Sequence, residues 1–316
     1  MESFAGKIAV VTGGGSGMGR ELVGQLAAEG CSVATCDVHA NAVAETANLA
    51  SAGAPPGTRV TSHTCDVADE AQVLRFRDEV LAAHAAGHVD LVFSNAGIGG
   101  GGSFIADPRE QWESVFAVDF WGVYYCARAF LPLLIKSAEG VLVNTSSVNG
   151  FWASLGPDRP HTAYCAAKFA VKGFTEALIT DLSLNAPHIK CSVVMPGHIG
   201  TGIPTNSRRI LRGSDTAIDI PAARKRIAAQ GVNIAGWSDD QIRERVAEME
   251  KRFREGAPTT AAEAASIILD GVKSEKWRIL VGKDAAFLDD RVRAAPDEAY
   301  SPPFFDAFRK GSGWRI

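Results

Sequence analysis

Tyr164 and Lys168 stand four residues apart in Tyr164-Cys165-Ala166-Ala167-Lys168. On a helix that spacing puts both side chains on one face. A phenol titrates near pH 10 and is a poor base at neutral pH. A neighbouring ammonium favours its ionised form. The chemistry this pair suits is proton exchange. Alone the pattern is common and is often an amphipathic surface pair. Its weight comes from its companions: a glycine-rich loop near the N-terminus, an acidic residue closing the second apolar run, and a run ending Asn144-Thr145-Ser146-Ser147.

The glycine loop is Thr12-Gly13-Gly14-Gly15-Ser16-Gly17-Met18-Gly19, after the apolar run Lys7–Thr12 and before a helical pattern. Glycines let the backbone turn sharply and approach a pyrophosphate, while a helix N-terminus offers free N–H groups and a favourable dipole to that anion. Asp37 follows Gly19 by 18 residues and closes the second run. A carboxylate there accepts hydrogen bonds from adenosine ribose hydroxyls and repels a 2′-phosphate. Val38 follows it and Ser16 is not basic. These residues place NAD ahead of NADP. Gly97-Ile98-Gly99-Gly100-Gly101-Gly102 also fits G-x-G-x-x-G, but no helical pattern follows until Pro108, so it reads as a flexible loop at the site's mouth.

The elements that must position these groups alternate. Apolar runs at Lys7–Thr12, Ser32–Asp37, Arg59–Thr64, Val89–Ser94, Val141–Thr145, Lys190–Val194 and Trp277–Val281 are separated by helical patterns. Asp107 with Pro108 and Glu110 reads as an N-cap and first turn, Thr260 with Glu263 as a capping box, and Gly271 as a helix stop. Alternation of this kind predicts an α/β fold: a Rossmann-type doubly wound parallel sheet of about seven strands with helices on both faces. No internal repeat or linker divides the 316 residues, so one domain is expected. An apolar content of 46% with a net charge of −4 excludes a disordered chain and argues against general nucleic-acid binding. No apolar run is long enough to span a membrane, and no secretory leader is visible. Cys31, Cys36, Cys65, Cys126, Cys165 and Cys191 form no C-x-x-C pair and mostly sit in apolar runs. Reduced core thiols in the cytoplasm, without a metal site, are the expectation.

With these motifs in hand, the sequence resembles the short-chain dehydrogenase/reductase family of the classical type. The resemblance rests on Thr12–Gly19, Asp66-Val67, Asn95-Ala96-Gly97, Ser146-Ser147, Tyr164-x-x-x-Lys168 and Pro196-Gly197-His198-Ile199-Gly200-Thr201. It implies Tyr164 as general acid/base and Lys168 as the group that binds the nicotinamide ribose and lowers the phenol pKa. Ser147 would orient the reacting oxygen, with Ser146 an alternative. It implies cofactor contacts at Gly13, Gly15, Ser16, Gly17, Met18, Gly19, Asp37, Val38, Asp66, Val67, Asn95, Ala96, Gly97, Pro196, Gly197, Ile199 and Thr201. It also implies a homotetramer or homodimer, with Phe120, Trp121, Tyr124 and Tyr125 in core or interface contacts. Two departures stand out. Asp119 occupies the place where the family has an Asn that holds a proton-relay water; it is assigned the relay, and a catalytically weakened dinucleotide-binding regulator is the alternative of another class. The stretch from Ser147 to Tyr164, with Trp152 and Gly156–Pro160, looks longer than usual and is expected to shape the substrate pocket.

Residues 202–256 correspond to the family's substrate lid. Ser238 with Gln241 makes a capping box, and Ile242, Val246, Met249 and Phe253 lie on one apolar face of the helix that follows. The lid carries 11 basic against 8 acidic residues. Arg208, Arg209, Arg212 and Arg224-Lys225-Arg226 could meet an anionic substrate group, although a solvated face is the plainer expectation. His161 and His198 read as loop or supporting histidines. Pro302, Pro303, Phe304, Phe305 and Trp314 in the extension 283–316 are expected to dock on the body or a neighbouring subunit. The expected substrate is a small-molecule secondary alcohol or carbonyl of appreciable apolar size, motivated by the lid and by Phe151, Trp152 and Met195. The same fold acting as an NADP-dependent carbonyl reductase is the rival.

Overall fold

Seven parallel strands form the central sheet in the computed structural model, which describes residues 1–157, 159–213, 218–229 and 231–314. Asp158, in the segment expected to line the pocket, and 214–217 and 230, in the lid, lie outside the described residues. In chain order the first half runs β1 (Ile8–Thr12), α1 (Gly17–Ala28), β2 (Ser32–Asp37), α2 (Ala40–Ala52), β3 (Val60–Thr64), α3 (Glu70–His84), β4 (Leu91–Ser94), α4 (Arg109–Phe116), α5 (Gly122–Leu134) and β5 (Gly140–Thr145). It continues with α6 (Thr162–Asn185), β6 (Ile189–Pro196), β7 (Ile199–Gly200), α7 (Ile203–Arg212), α8 (Ile220–Ala229), α9 (Asp239–Glu255), β8 (Thr259–Thr260), α10 (Ala261–Lys273), β9 (Arg278–Val281), α11 (Lys283–Ala294) and α12 (Pro302–Gly311). The sheet order is β3-β2-β1-β4-β5-β6-β9, and β7 pairs with β8 in a separate ribbon. The order reverses direction between β1 and β4, the switch point at which such folds bind nucleotides.

The strands read as unbroken apolar runs because both faces are covered. Val11, Val33 and Phe93 pack under α1 and α10, while Val10, Val92 and Leu142 pack under α3, α5 and α6. All six cysteines are buried free thiols. Among the described residues no helix is long and apolar enough to cross a membrane.

Two boundaries differ from expectation for identifiable reasons. The Asp107 carboxylate is taken by the Ser103 amide at 2.8 Å, so Pro108 becomes the cap residue and α4 starts at Arg109. Gly271 does not stop α10, which runs on to Lys273. A Cβ at Gly271 would strike the Ile279 side chain, so the glycine allows α10 to lie close against β9. Both capping boxes form, at Ser238–Gln241 and Thr260–Glu263.

The tail folds back on the body. Phe304, Phe305 and Phe308 of α12 are buried around Trp152, whose indole N–H donates to the Ala299 carbonyl at 2.8 Å. Trp152 therefore anchors the tail and does not line a pocket, which corrects the expectation drawn from the long stretch after Ser147. Met195 is likewise fully buried. Trp152→Ala is expected to cost about 3–5 kcal/mol, the usual range for truncating a buried aromatic. Urea unfolding measures it; a change under 1 kcal/mol would mean the tail contributes little to stability.

Candidate active site

The glycine loop leaves β1 and enters α1 with no room for side chains. Gly13 sits at φ +69°, and a Cβ there would lie 2.7 Å from the Ala96 Cα. A Cβ at Gly19 would strike the Gly13 carbonyl. Ser16 stands at the α1 N-cap, but its side chain caps no helix amide; its hydroxyl instead accepts from the Asn206 side chain of α7 at 2.9 Å. The first-turn amides therefore lack a side-chain partner, the condition under which a helix N-terminus takes an anion. Beside them, the Asp37 carboxylate accepts from the Gly15 and His39 amides, both at 3.0 Å. Thr12 fastens the loop to β4: its hydroxyl accepts the Asn95 and Ala96 amides at 3.0 and 3.1 Å, and its carbonyl accepts the Asn95 side-chain amide. Asp66 accepts the Ala68 amide, Val67 packs on Gly122, and Val38 is exposed. These groups rim one crevice, and the closeness of its backbones fits a dinucleotide.

At the other end of the crevice, α6 carries Tyr164 and Lys168. Lys168 is buried; its ammonium donates to the Thr145 carbonyl at 3.2 Å and lies 5.3 Å from the Tyr164 ring centre. Between α4 and α5 one π-helical turn, Ala117–Trp121, interrupts the helix. Such turns often accompany functional sites. This one carries Asp119, fully buried, 3.7 Å from the Lys168 ammonium. Asp119 Oδ1 accepts the Ile98 amide at 2.8 Å, while Oδ2 has no protein partner among the described residues. A Cβ at Gly97 would lie 3.0 Å from Asp119 and 3.3 Å from Lys168, so glycine there keeps the pair together.

Burial pushes the Asp119 carboxyl up to about 6, against the opposing pull of Lys168 and the Ile98 amide. At 3.7 Å the pair is longer than a direct charge-assisted hydrogen bond, so its attraction only partly offsets desolvation. Burial also raises Tyr164 above its ordinary phenol value; the Asp119 charge raises it further, and a hydrogen bond with Ser147 lowers it. Lys168 was expected to lower this phenol. The shift is upward instead, with burial and the Asp119 charge its leading causes.

Ser146 and Ser147 part company here. The Ser146 hydroxyl donates to the Lys168 carbonyl at 2.7 Å and is spent on holding α6. Ser147 faces the phenol.

Sequence reasoning missed several residues that close the site. In α7, Ser207 accepts the Gly99 amide at 2.7 Å, and Leu211, like Trp112 and Tyr164, packs against the buried cluster of Ile98, Val115 and Ala163. The Gly97–Gly102 loop is tied down as well, since Gly101 and Gly102 carbonyls accept the Ala163 and Thr162 amides. That corrects its reading as simply flexible. On the far side, Asp284 accepts the His198 amide at 2.6 Å and the Trp314 indole at 2.5 Å, and a Cβ at Gly197 would collide with it. Pro196 ends β6, Ile199 is buried in β7, and the Thr201 side chain reaches Gly17. Met18 packs partly buried against the core. The lid's arginines mostly bind its own acids: Arg208 grips Glu250, Arg212 meets Asp219, and Arg224 meets Asp239. Only α7 could have been anticipated, from its place directly after Thr201.

A nucleotide crevice at the switch point, with a Tyr–Lys pair at its end, defines a Rossmann-type oxidoreductase. The model of the short chain dehydrogenase family matches residues 7–210, and the chain belongs to that family. A Mycobacterium tuberculosis protein named as an oxidoreductase, SadH, is 35% identical over 294 residues, which is 93% of this chain and 92% of that protein. A short chain dehydrogenase/reductase from Burkholderia phymatum, solved in complex with NAD, has a TM-score of 0.76 at 30% identity, covering 94% of this chain and 96% of that one. An alcohol dehydrogenase from the archaeon Thermococcus sibiricus, complexed with 5-hydroxy-NADP, has a TM-score of 0.53 at 26% identity, covering 61% of this chain and 77% of that one.

Proposed function

We propose that this chain is an NAD-dependent dehydrogenase that interconverts a secondary alcohol and a ketone or aldehyde of appreciable apolar size. The observation that carries the reading is Tyr164 flanked by Ser147 and Lys168 at the end of the glycine-loop crevice. NAD, when bound, supplies hydride acceptance. The chain manages the proton. Ser147 holds the substrate oxygen, and Tyr164 removes its proton in oxidation or returns it in reduction. Lys168, held by Thr145 and Asp119, binds the nicotinamide ribose and favours the phenolate. Asp119 Oδ2, buried and without a protein partner among the described residues, would hold a relay water. The apolar size now rests on the partly buried Trp112 and Leu211, since Trp152 and Met195 are sealed away.

Asp37 supports NAD over NADP. The nearby cation Arg20 is bound to Glu45 at 2.7 Å and so is neutralised. Asp37→Ala is expected to weaken NAD binding about 10- to 100-fold, the worth of hydrogen bonds to a charged group. Titration of both coenzymes checks this, and tighter NADPH binding by the unaltered chain would overturn it. A homotetramer or homodimer formed through α5 and α6 is part of the same reading, supported by exposed Trp121 and Phe169. So is a cytoplasmic setting, with lid and tail serving one nucleotide-binding unit. A screen of secondary alcohols with NAD, followed by NADH absorbance, tests the whole proposal. No turnover with any alcohol would refute it.

A further inference from the structure

His161 immediately precedes α6, and its carbonyl accepts the Cys165 amide at 3.0 Å. One helical turn before Tyr164, it brings its side chain to the same face. The imidazole stacks on the Tyr164 ring, with centroids 4.6 Å apart and planes 26° apart. It therefore stands in the wall beside the proposed reacting centre.

Three features make this ring more than packing. First, the cluster that Tyr164 packs against is apolar: Ile98, Val115 and Ala163 form it, with Trp112 and Leu211 at its margin. Second, neither ring nitrogen has a hydrogen-bond partner among the described residues, and burial alone shifts its titration. Third, the ring is only partly buried, and its nitrogens are not among the sealed, unpartnered polar atoms, so they open onto accessible space. Burial lowers the imidazole pKa to about 4, so near neutral pH the ring is uncharged. A neutral imidazole offers one N–H donor and one bare acceptor nitrogen. Such a ring can meet either a hydroxyl or a carbonyl.

The neighbouring phenol is committed to the reacting oxygen. A group hydrogen-bonded to the adjacent ring, at the usual reach of about 2.8–3.0 Å, would belong to the next part of the substrate. We propose that His161 is a specificity-determining residue that hydrogen-bonds a second oxygen of the substrate, a hydroxyl or carbonyl on the carbon beside the one that reacts. The inference rests on the dehydrogenase reading above and narrows its substrate class to alcohols and ketones bearing a vicinal oxygen. A site built to hydrogen-bond a substrate group discriminates against analogues that lack it.

The test compares matched pairs, butan-2-ol against butane-2,3-diol and their aryl counterparts, by kcat/KM with NAD. The unaltered chain is expected to favour the diol by at least about tenfold. His161→Phe keeps the ring and its stack but removes both nitrogens, and should reduce the diol-to-alcohol ratio about tenfold. His161→Asn, which restores a donor and an acceptor, should recover part of the ratio. A ratio unchanged in His161→Phe, or both members of each pair slowed equally, would overturn the inference and leave His161 as a support for Tyr164. Plain alcohols oxidised as well as diols by the unaltered chain would overturn it while leaving the dehydrogenase reading intact. If no member of any pair turns over, both fall.

Discussion

Tyr164→Phe is expected to lower turnover about a hundred- to ten-thousandfold, the range ascribed to a positioned general acid/base, and to leave NAD binding within about twofold. The change removes one oxygen and keeps the ring, so the stack with His161 and the packing against the Ile98, Val115 and Ala163 cluster persist. The glycine loop and Asp37 lie at the other end of the crevice and are untouched. The loss must therefore appear in kcat, with little change in coenzyme affinity. Steady-state kinetics beside a fluorescence titration of NADH separates the two. Unchanged turnover would remove Tyr164 from the proton path. Weakened coenzyme binding with unchanged kcat would make it a ribose contact alone.

Asp119→Asn should change both stability and pH dependence. The Asp119 carboxyl titrates near 6 in the folded protein and near 3.9 when unfolded. Below about pH 4 the group is protonated in both states and costs nothing. Between pH 4 and 6 the unfolded chain ionises it more readily than the folded chain, so stability falls as pH rises, and the loss is complete above 6. The shift corresponds to a loss on the order of 3 kcal/mol, which the Asn variant lacks. Urea unfolding of both chains from pH 4 to 8 reads the difference, and parallel curves would contradict it. The same substitution removes the negative charge that, after burial, does most to raise Tyr164. The acid limb of kcat/KM for alcohol oxidation should therefore move to lower pH, because oxidation needs the phenolate. A large gain in rate would mark Asp119 as an impairment of the relay; a large loss would mark its carboxylate as part of it.

Much of the site was legible because its chemistry is local. The glycine loop, Asp37 at the end of β2 and the Tyr164–Lys168 spacing each depend on a few adjacent residues and on helix or strand period. The structure brings all three to the rim of one crevice. Tyr164 ionisation was not legible. The spacing implied an activating lysine, whereas burial and a carboxylate delivered by a π turn act against it. The place of Trp152 soon after Ser147 suggests a pocket residue, yet α12, about 150 residues later in the chain, claims it.

The sequence alone was enough for the parallel sheet and the glycine loop, and it singled out the Tyr164–Lys168 pair. These follow from hydrophobic period, turn chemistry and i,i+4 geometry, which operate over short stretches. Only the tertiary structure decided which serine faces the phenol, that Asp119 meets Lys168, that α7 roofs the site through Asn206, Ser207 and Leu211, and that His161 presents open nitrogens beside Tyr164. Each of these depends on desolvation and on contacts between residues distant in sequence. Such terms have no value until the chain has closed around them.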